Sequence, residues 1–514
     1  VFEVMSSTLM WAALTGFILT VFMEKLLIPR PPLRRPWSCW LLHGGLWCFS
    51  LGCLYLLTAR PWFSAINVLA VWLLIVLVSN AKYESLREPF VCADFEYFSD
   101  AVRFPRLYLP FFGIGKAAGL AVVFIAYLAA GLYFEPRAAG AFGDALVLLV
   151  LGGALLFVGH RPRPEPSFNP GEDLCRWGLA ASLWRYFFAA RQPIDVAALG
   201  SPFQSSGNTL PESLALPDMV SIQSESFFDV RRLFDGVKPE VLSEFDRLNS
   251  EALCHGQLHV AAWGANTVRT EFAYLCGLDS SALGVHRFNP YRVLARKGLP
   301  SIASELKRQG YRTVCIHPYA GSFYGRDKVL PALGFDEFID VRHFTESQKA
   351  GPFIGDCAVA DKILELLDAP GRTQPLFIHA ITMENHGPLH LEHVSAEELP
   401  VWFSKPLSEP LRELGPYVRH IANADRMLGN LRQSLSSSPR ATGLCFFGDH
   451  VPILPNVYAT LGEPVGHTDY FIWSNRSCVA GEPGALPVTQ LSTTFIENIQ
   501  ASLVAAQAAP VTHA

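Results

Sequence analysis

The chain has little charge and no strong bias of sign. Asp, Glu, Lys and Arg make up 17% of its 514 residues, and the formal net charge is −5. Nucleic-acid binders carry a basic surface, so that class is excluded and no nucleic-acid partner is expected. Cysteine occurs eleven times but never in CxxC or other metal-ligand spacing. Cys39, Cys48 and Cys53 sit in or beside apolar stretches, where a thiol behaves as a small hydrophobe. Cys315 and Cys445 lie in strand-like runs and read as core. Cys254, Cys276, Cys357 and Cys478 share the polar half with them, and sequence does not pair them. No internal repeat is evident.

What is abundant is apolar. Half the residues are hydrophobic, and mean hydropathy is +0.24. The excess lies before about Gly159. A membrane span needs roughly 20 mostly apolar residues. Five stretches qualify, at residues 9–27, 40–58, 63–78, 111–133 and 141–158. The first lacks the basic start and small-residue cleavage site of a signal peptide and reads as a retained helix. The third is short, but Trp62 and Tyr83 flank it as interfacial anchors. Residues 1–160 are thus expected to form a membrane domain of about five helices. Residues 161–166 alternate Arg or Glu with Pro, a stiff polar exit from the bilayer. Trp177, Leu179, Leu183, Tyr186 and Phe187 then recur at helical spacing, interleaved with Arg176, Arg185 and Arg191. That pattern fits an amphipathic helix at the membrane interface or an ordinary packed helix. With the Ser/Pro/Gly-rich stretch 193–217, it makes 161–215 an interfacial helix and linker.

From 216 to about 505, ahead of a tail at 506–514, short apolar runs alternate with helical patterns. Strands are expected at 219–223, 313–316, 376–382, 443–447 and 470–473. Helices are expected at 239–253, 267–276, 299–309, 357–367, 418–434 and 489–500. Such alternation argues a mostly parallel sheet flanked by helices. In open α/β sheets, ligands bind outside the carboxyl ends of the strands. Here those ends lead into Glu225, into His317 with Tyr324, Arg326 and Asp327 beyond it, into Asn385 and His386, and into Asp449-His450. Parallel topology brings them to one edge. Adjacent Asp and His there are natural ligands for a divalent metal.

Small residues at 264–266 lead into the helical pattern starting at Thr267, which makes Thr267 a plausible N-cap. Most such threonines are only caps. Beside a bound metal, however, a hydroxyl at a helix N-terminus sits where a phosphate binds and could attack phosphorus.

Five pieces, Glu225-Ser226-Phe227, Asn266 to Phe272, Ser322 to Asp327, Asn385 to Pro388 and Gly448-Asp449-His450, occur in an order that resembles the lipoteichoic acid synthase and phosphoglycerol transferase branch of the alkaline phosphatase/sulfatase superfamily. The fold class implied is an N-terminal multi-span α-helical membrane domain followed by an α/β sulfatase-like domain. The resemblance implies that Glu225, Thr267, Asp449 and His450 bind one divalent metal ion (Mn, Mg or Zn). Thr267 would be the nucleophile, with Tyr324, Arg326 and His386 around the head group and its phosphate. His317 and His467 would protonate the leaving group, line the pocket, or be ordinary satisfied histidines. No CxPSR-type motif for formylglycine is present, which disfavours sulfate-ester hydrolysis, and only one set of metal ligands is evident.

The activity implied is transfer of phosphoglycerol from a membrane phospholipid donor, phosphatidylglycerol, to an envelope glycan or polymer acceptor through a phosphothreonine. The expected setting is the bacterial cytoplasmic (inner) membrane, with the catalytic domain in the periplasm or outside. Lys25, Arg30, Arg34, Arg35, Arg87, Arg103, Arg106, Arg161 and Arg163 make the loops basic, and the positive-inside rule would put that half in the cytoplasm. Acceptors of such enzymes lie outside the cytoplasmic membrane, so the resemblance implies an outside catalytic domain against that rule. Alternatives are a phosphoethanolamine transferase, a phosphodiesterase or hydrolase of the same superfamily, and a non-catalytic glycan-assembly membrane protein.

Overall fold

The computed structural model describes residues 6–96, 98, 114–161, 164–204, 215–476 and 481–508. Arg103, Arg106, Arg163, Cys478, residues 205–214 of the expected linker and residues 509–514 of the tail lie outside them. Two compact units emerge, Val1–Pro193 and Ile194–Ala514.

The first unit is helical. Ser7–Leu26, Trp37–Thr58, Pro61–Leu86 and Ala141–Gly159 are long and apolar enough to cross a membrane, by length and composition. This differs from the five spans expected. The stretch 111–133 corresponds to the helix Ile114–Phe134, whose described apolar part is Val122–Phe134; Phe111–Gly113 lies outside the described residues. Leu9, Trp47, Leu51, Tyr55 and Leu148 form a shared core. A buried ion pair sits among the helices. Arg35 donates to Glu24 at 2.5 Å, and the Leu179 amide donates to the other Glu24 oxygen at 2.9 Å. An ion in this setting persists only when paired.

The expected single amphipathic helix is two, Pro170–Trp177 and Leu179–Ala189. They break at Gly178, whose φ of 77° falls outside helical space. Trp177, Leu179 and Tyr186 are buried within this unit, so the apolar stripe packs against protein.

The second unit is built on an eight-stranded sheet. Its strands are β1 (Asp218–Ser224), β2 (Cys254–His259), β3 (Arg312–Ile316), β4 (Glu337–Ile339), β7 (Leu376–Ile381), β8 (Thr442–Gly448), β9 (Thr468–Ser474) and β10 (Leu486–Pro487). The order is β10-β2-β9-β8-β1-β7-β3-β4. A small hairpin, β5 (Lys349–Ala350) with β6 (Phe353–Ile354), stands apart. β1 pairs in parallel with both β7 and β8, and β3 with β7 and β4; β9 runs antiparallel to both its neighbours. The sheet is therefore mostly parallel, as expected.

β1 and β8 are buried at every residue, which is why they read as near-continuous apolar runs. Their side chains alternate between two cores. Val220, Ile222, Leu444 and Phe446 face one, completed by the helices Asp356–Leu367 and Leu414–Ser437. Met219, Cys445 and Phe447 face the other, completed by Thr267–Cys276 and Val488–Ala508. The described cysteines are all free.

Candidate active site

β1 and β8 are neighbours in register, Ser224 opposite Gly448, so the residues that follow them emerge side by side. Those residues are Glu225 on one strand and Asp449 and His450 on the other. One ligand atom from each of the three lies within 4.8 Å of the others, and all three side chains are buried. His450 Nε2 is 3.5 Å from Glu225 Oε1 and 3.5 Å from Asp449 Oδ2. Its Nδ1 faces the Val451 carbonyl at 3.1 Å, which fixes the proton there and turns the Nε2 lone pair toward the acids.

The strand ends are held by their own backbone partners. The Glu225 amide donates to Thr382 Oγ1 at 3.1 Å, and Asn385 Nδ2 donates to the Glu225 and Ser226 carbonyls at 3.2 and 3.4 Å. Ser226, part of the Glu225-Ser226-Phe227 piece but with no role expected there, ties the acids together. Its amide donates to Asp449 Oδ1 at 2.8 Å and its hydroxyl to Glu225 Oε1 at 2.9 Å.

Thr267 joins this group from the other direction. Its hydroxyl donates to Glu225 Oε2 at 3.5 Å. It is the first residue of the helix Thr267–Cys276; Asn266, in left-handed backbone at φ 67°, holds the cap position instead. The shift by one residue leaves the Thr267 hydroxyl at the amide-rich end of the helix. One turn of that helix also fixes β8, because Thr270 Oγ1 donates to the Asp449 carbonyl at 2.8 Å.

These residues fit a divalent cation. Asp449 Oδ2 is buried with no hydrogen-bond partner, which is costly unless something positive reaches it. Burial pushes the Asp449 carboxyl up, the adjacent imidazole pulls it back, and Glu225 raises it again. Burial would lower His450, but Asp449 and Glu225 override it and hold its pKa up. Two carboxylates and an imidazole so close compete for protons, and a cation among them would satisfy all three. Two carboxylates, an imidazole and a hydroxyl suit Mn, Mg or Zn.

A second cluster lies on the β7–β3 side of the sheet. Arg326 is buried, and its Nε/Nη2 edge pairs with Glu271 at 3.2 and 2.6 Å. Tyr291 donates to the same carboxylate at 2.5 Å. Arg326 Nη1 donates to His317 Nε2 at 3.1 Å, and His317 Nδ1 faces the Ile381 carbonyl at 3.2 Å. Burial and then Arg326 hold the His317 pKa well below the usual imidazole range.

Glu271 occupies the Nε/Nη2 edge of Arg326, so that edge is closed to a phosphate. His317 has both nitrogens engaged, so it orients Arg326 rather than carrying a proton to a leaving group. Glu271 had no assigned role in the sequence, although four residues from Thr267 on one helix is the same-face spacing. Tyr324 lies beside Arg326, its ring centroid 5.4 Å from the guanidinium carbon, in left-handed backbone at φ 55°. His386 is half-buried, edge-on to Phe353, with Nδ1 2.7 Å from the Gly387 carbonyl. His467 stands elsewhere, immediately before β9, stacked on His259.

Residues 217–500, more than half of the chain, match the family model described as "Sulfatase". The chain is 28% identical over 439 residues to the capsular polysaccharide biosynthesis protein RkpI of Rhizobium meliloti, covering 80% of this chain and 77% of that protein. Among solved structures, the lipooligosaccharide phosphoethanolamine transferase A of Neisseria meningitidis, an integral membrane protein, matches with a TM-score of 0.58 at 11% identity over 96% of each chain. The phosphoglycerol transferase GacH of Streptococcus pyogenes matches with a TM-score of 0.46 at 21% identity, over 58% of this chain and 80% of that one. With that match spanning the sheet and every strand end described above, the chain belongs to the sulfatase family.

Proposed function

We propose that the protein transfers a phosphoglycerol head group from phosphatidylglycerol to an envelope glycan or polymer by way of a phosphothreonine at Thr267. The observation that carries this reading is the Thr267 hydroxyl at 3.5 Å from Glu225, within the buried Glu225–Asp449–His450 group.

A divalent cation held by Glu225, Asp449, His450 and Thr267 would lower the hydroxyl pKa and offset phosphate charge. Thr267 Oγ1 attacks phosphorus in line, and the bond to the diacylglycerol oxygen breaks with its electron pair. The amides opening the helix Thr267–Cys276 face the phosphate oxygens. The proton lost by Thr267 ends on the departing diacylglycerol oxygen. His386, whose Nδ1 is fixed by the Gly387 carbonyl, and Tyr324, with Arg326 behind it, line the head-group side. The acceptor hydroxyl then enters where diacylglycerol left. RkpI is named for capsular polysaccharide biosynthesis, which supports a glycan acceptor.

The membrane helices would keep the enzyme beside its lipid, with the sulfatase-like unit outside the cytoplasmic membrane. A reporter fused after Ala514 and active only in the cytoplasm would overturn that orientation. A second reading, phosphoethanolamine transfer, is favoured by the full-length likeness to the Neisseria enzyme. The free described cysteines argue against it, since those transferases usually have a disulfide-rich soluble domain.

Intact mass spectrometry after incubation with phosphatidylglycerol or phosphatidylethanolamine vesicles decides between them. The expected result is a phosphoglycerol adduct on the Thr267 peptide, absent in Thr267→Ala. An adduct from phosphatidylethanolamine alone, or head-group release at full rate by Thr267→Ala, would refute the proposal.

A further inference from the structure

The sheet order separates the groups around Thr267. Glu225 and the Asp449–His450 pair leave the central strands β1 and β8. His317, Tyr324, Arg326 and His386 come from the ends of β3 and β7 on one side. On the other side lie β9 and β2, and their ends carry a different set of side chains. His259 ends β2 and is exposed; His467 immediately precedes β9 and is half-buried. Their rings stack 4.0 Å apart at 14°. Trp263, also half-buried, lies four residues beyond His259 and four before Thr267. Its ring rests on the backbone of Gly466. A Cβ built there would come within 2.6 Å of the ring, and φ is 91°, so only glycine serves. Tyr458 meets Trp263 edge-on at 6.3 Å.

This aromatic rim is joined to the reacting centre through covalent neighbours. Thr468, next to His467, donates its hydroxyl to the carbonyl of Gly448 at 2.7 Å, directly before Asp449. Trp263 reaches Thr267 through one short segment. The rim has aromatic faces and imidazole nitrogens, and the nearby Arg232 and Asp469 neutralise each other in an ion pair. A flat apolar face beside neutral hydrogen-bonding groups fits a sugar ring, whose C–H faces stack and whose hydroxyls bond. It offers no cationic cradle for a polyphosphate chain.

We propose that Trp263, His259 and His467 form the acceptor subsite, and that its occupant is an uncharged sugar residue of a glycan. This rests on the transfer reading above. In the second step the sugar hydroxyl oxygen bonds to phosphorus as the bond from phosphorus to Thr267 Oγ1 breaks. The electron pair returns to Oγ1, and the proton lost by the sugar hydroxyl is regained there, so the step is neutral overall. Burial, His259 and Arg232 all lower the His467 pKa, which favours the neutral ring.

The test loads Thr267 in the full-length protein from phosphatidylglycerol vesicles and then adds acceptor. One arm uses a panel of neutral hexose oligosaccharides, the other a glycerol-phosphate oligomer. Adduct loss is followed by intact mass. Trp263→Leu and the exposed His259→Ala should load as the wild-type protein does. Each should need about tenfold more oligosaccharide for half-maximal discharge, the effect of losing one anchoring contact. Normal loading with unchanged oligosaccharide dependence in both variants refutes the subsite alone. Discharge of the wild-type adduct only by the glycerol-phosphate oligomer, or by neither acceptor, refutes its sugar occupant. Absence of any adduct in wild-type protein refutes the transfer reading, and this inference with it.

Discussion

Glu271→Gln removes one charge from a pair that water does not reach. The Arg326 and Glu271 side chains are 1% and 0% exposed. Glutamine keeps one oxygen for Arg326 and Tyr291 but leaves the guanidinium with no counter-charge and no solvent. Breaking a buried pair in this way costs about 3–5 kcal/mol, and full burial leaves no screening to reduce it. The double variant Glu271→Gln/Arg326→Met removes both charges and should recover to within about 1 kcal/mol of wild type. Chemical denaturation of the detergent-solubilised protein, followed by circular dichroism, gives both values. Transfer should separate from stability: the double variant folds yet loses activity, because Tyr324 no longer has Arg326 behind it. A cost below about 1 kcal/mol for Glu271→Gln, or a double variant no more stable than the single, would refute the reasoning.

His420 sits between Glu384 Oε1 at 3.1 Å and Glu392 Oε2 at 3.0 Å; burial opposes its charge, but the two acids push its pKa up to about 9. Its stabilisation, about 3 kcal/mol, should be complete below about pH 6.5, decline above that and vanish beyond pH 9. Thermal melting across that range should fall for wild type and stay flat for His420→Gln. Gly448→Ala should prevent folding or cost well over 2 kcal/mol, since its Cβ would overlap the Phe227 carbonyl oxygen; expression and melting temperature report it. Chelation should abolish adduct formation and lower the melting temperature, and re-added Mn, Mg or Zn should restore both.

The strands around the centre were legible because burial on both faces leaves an apolar signature: β1, β3, β7, β8 and β9 were all expected within a residue or two. β2 was not. Its sequence, Cys-His-Gly-Gln-Leu-His, is mostly polar because only Leu258 is fully buried. Asp449-His450 was legible because two ligand residues directly follow a buried run. The partner of Arg326 was not, because an ion pair between residues 55 positions apart leaves no local trace. The break at Gly178 was hidden by an apolar periodicity that continues across it. The one-residue shift at Thr267 reflects Asn266, which tolerates left-handed backbone better than most residues.

Ser226, Asn266 and Tyr324, one in each of three loops at the centre, share that backbone, with φ of 53°, 67° and 55°. None is glycine, so each conformation stores strain on the order of 1–3 kcal/mol that the surrounding contacts must overcome. A campaign for thermostability would therefore pick these sites first, as glycine relaxes them. It would gain degrees of melting temperature and lose turnover, because the tension that glycine releases is what keeps hydroxyl, acids and ring aligned.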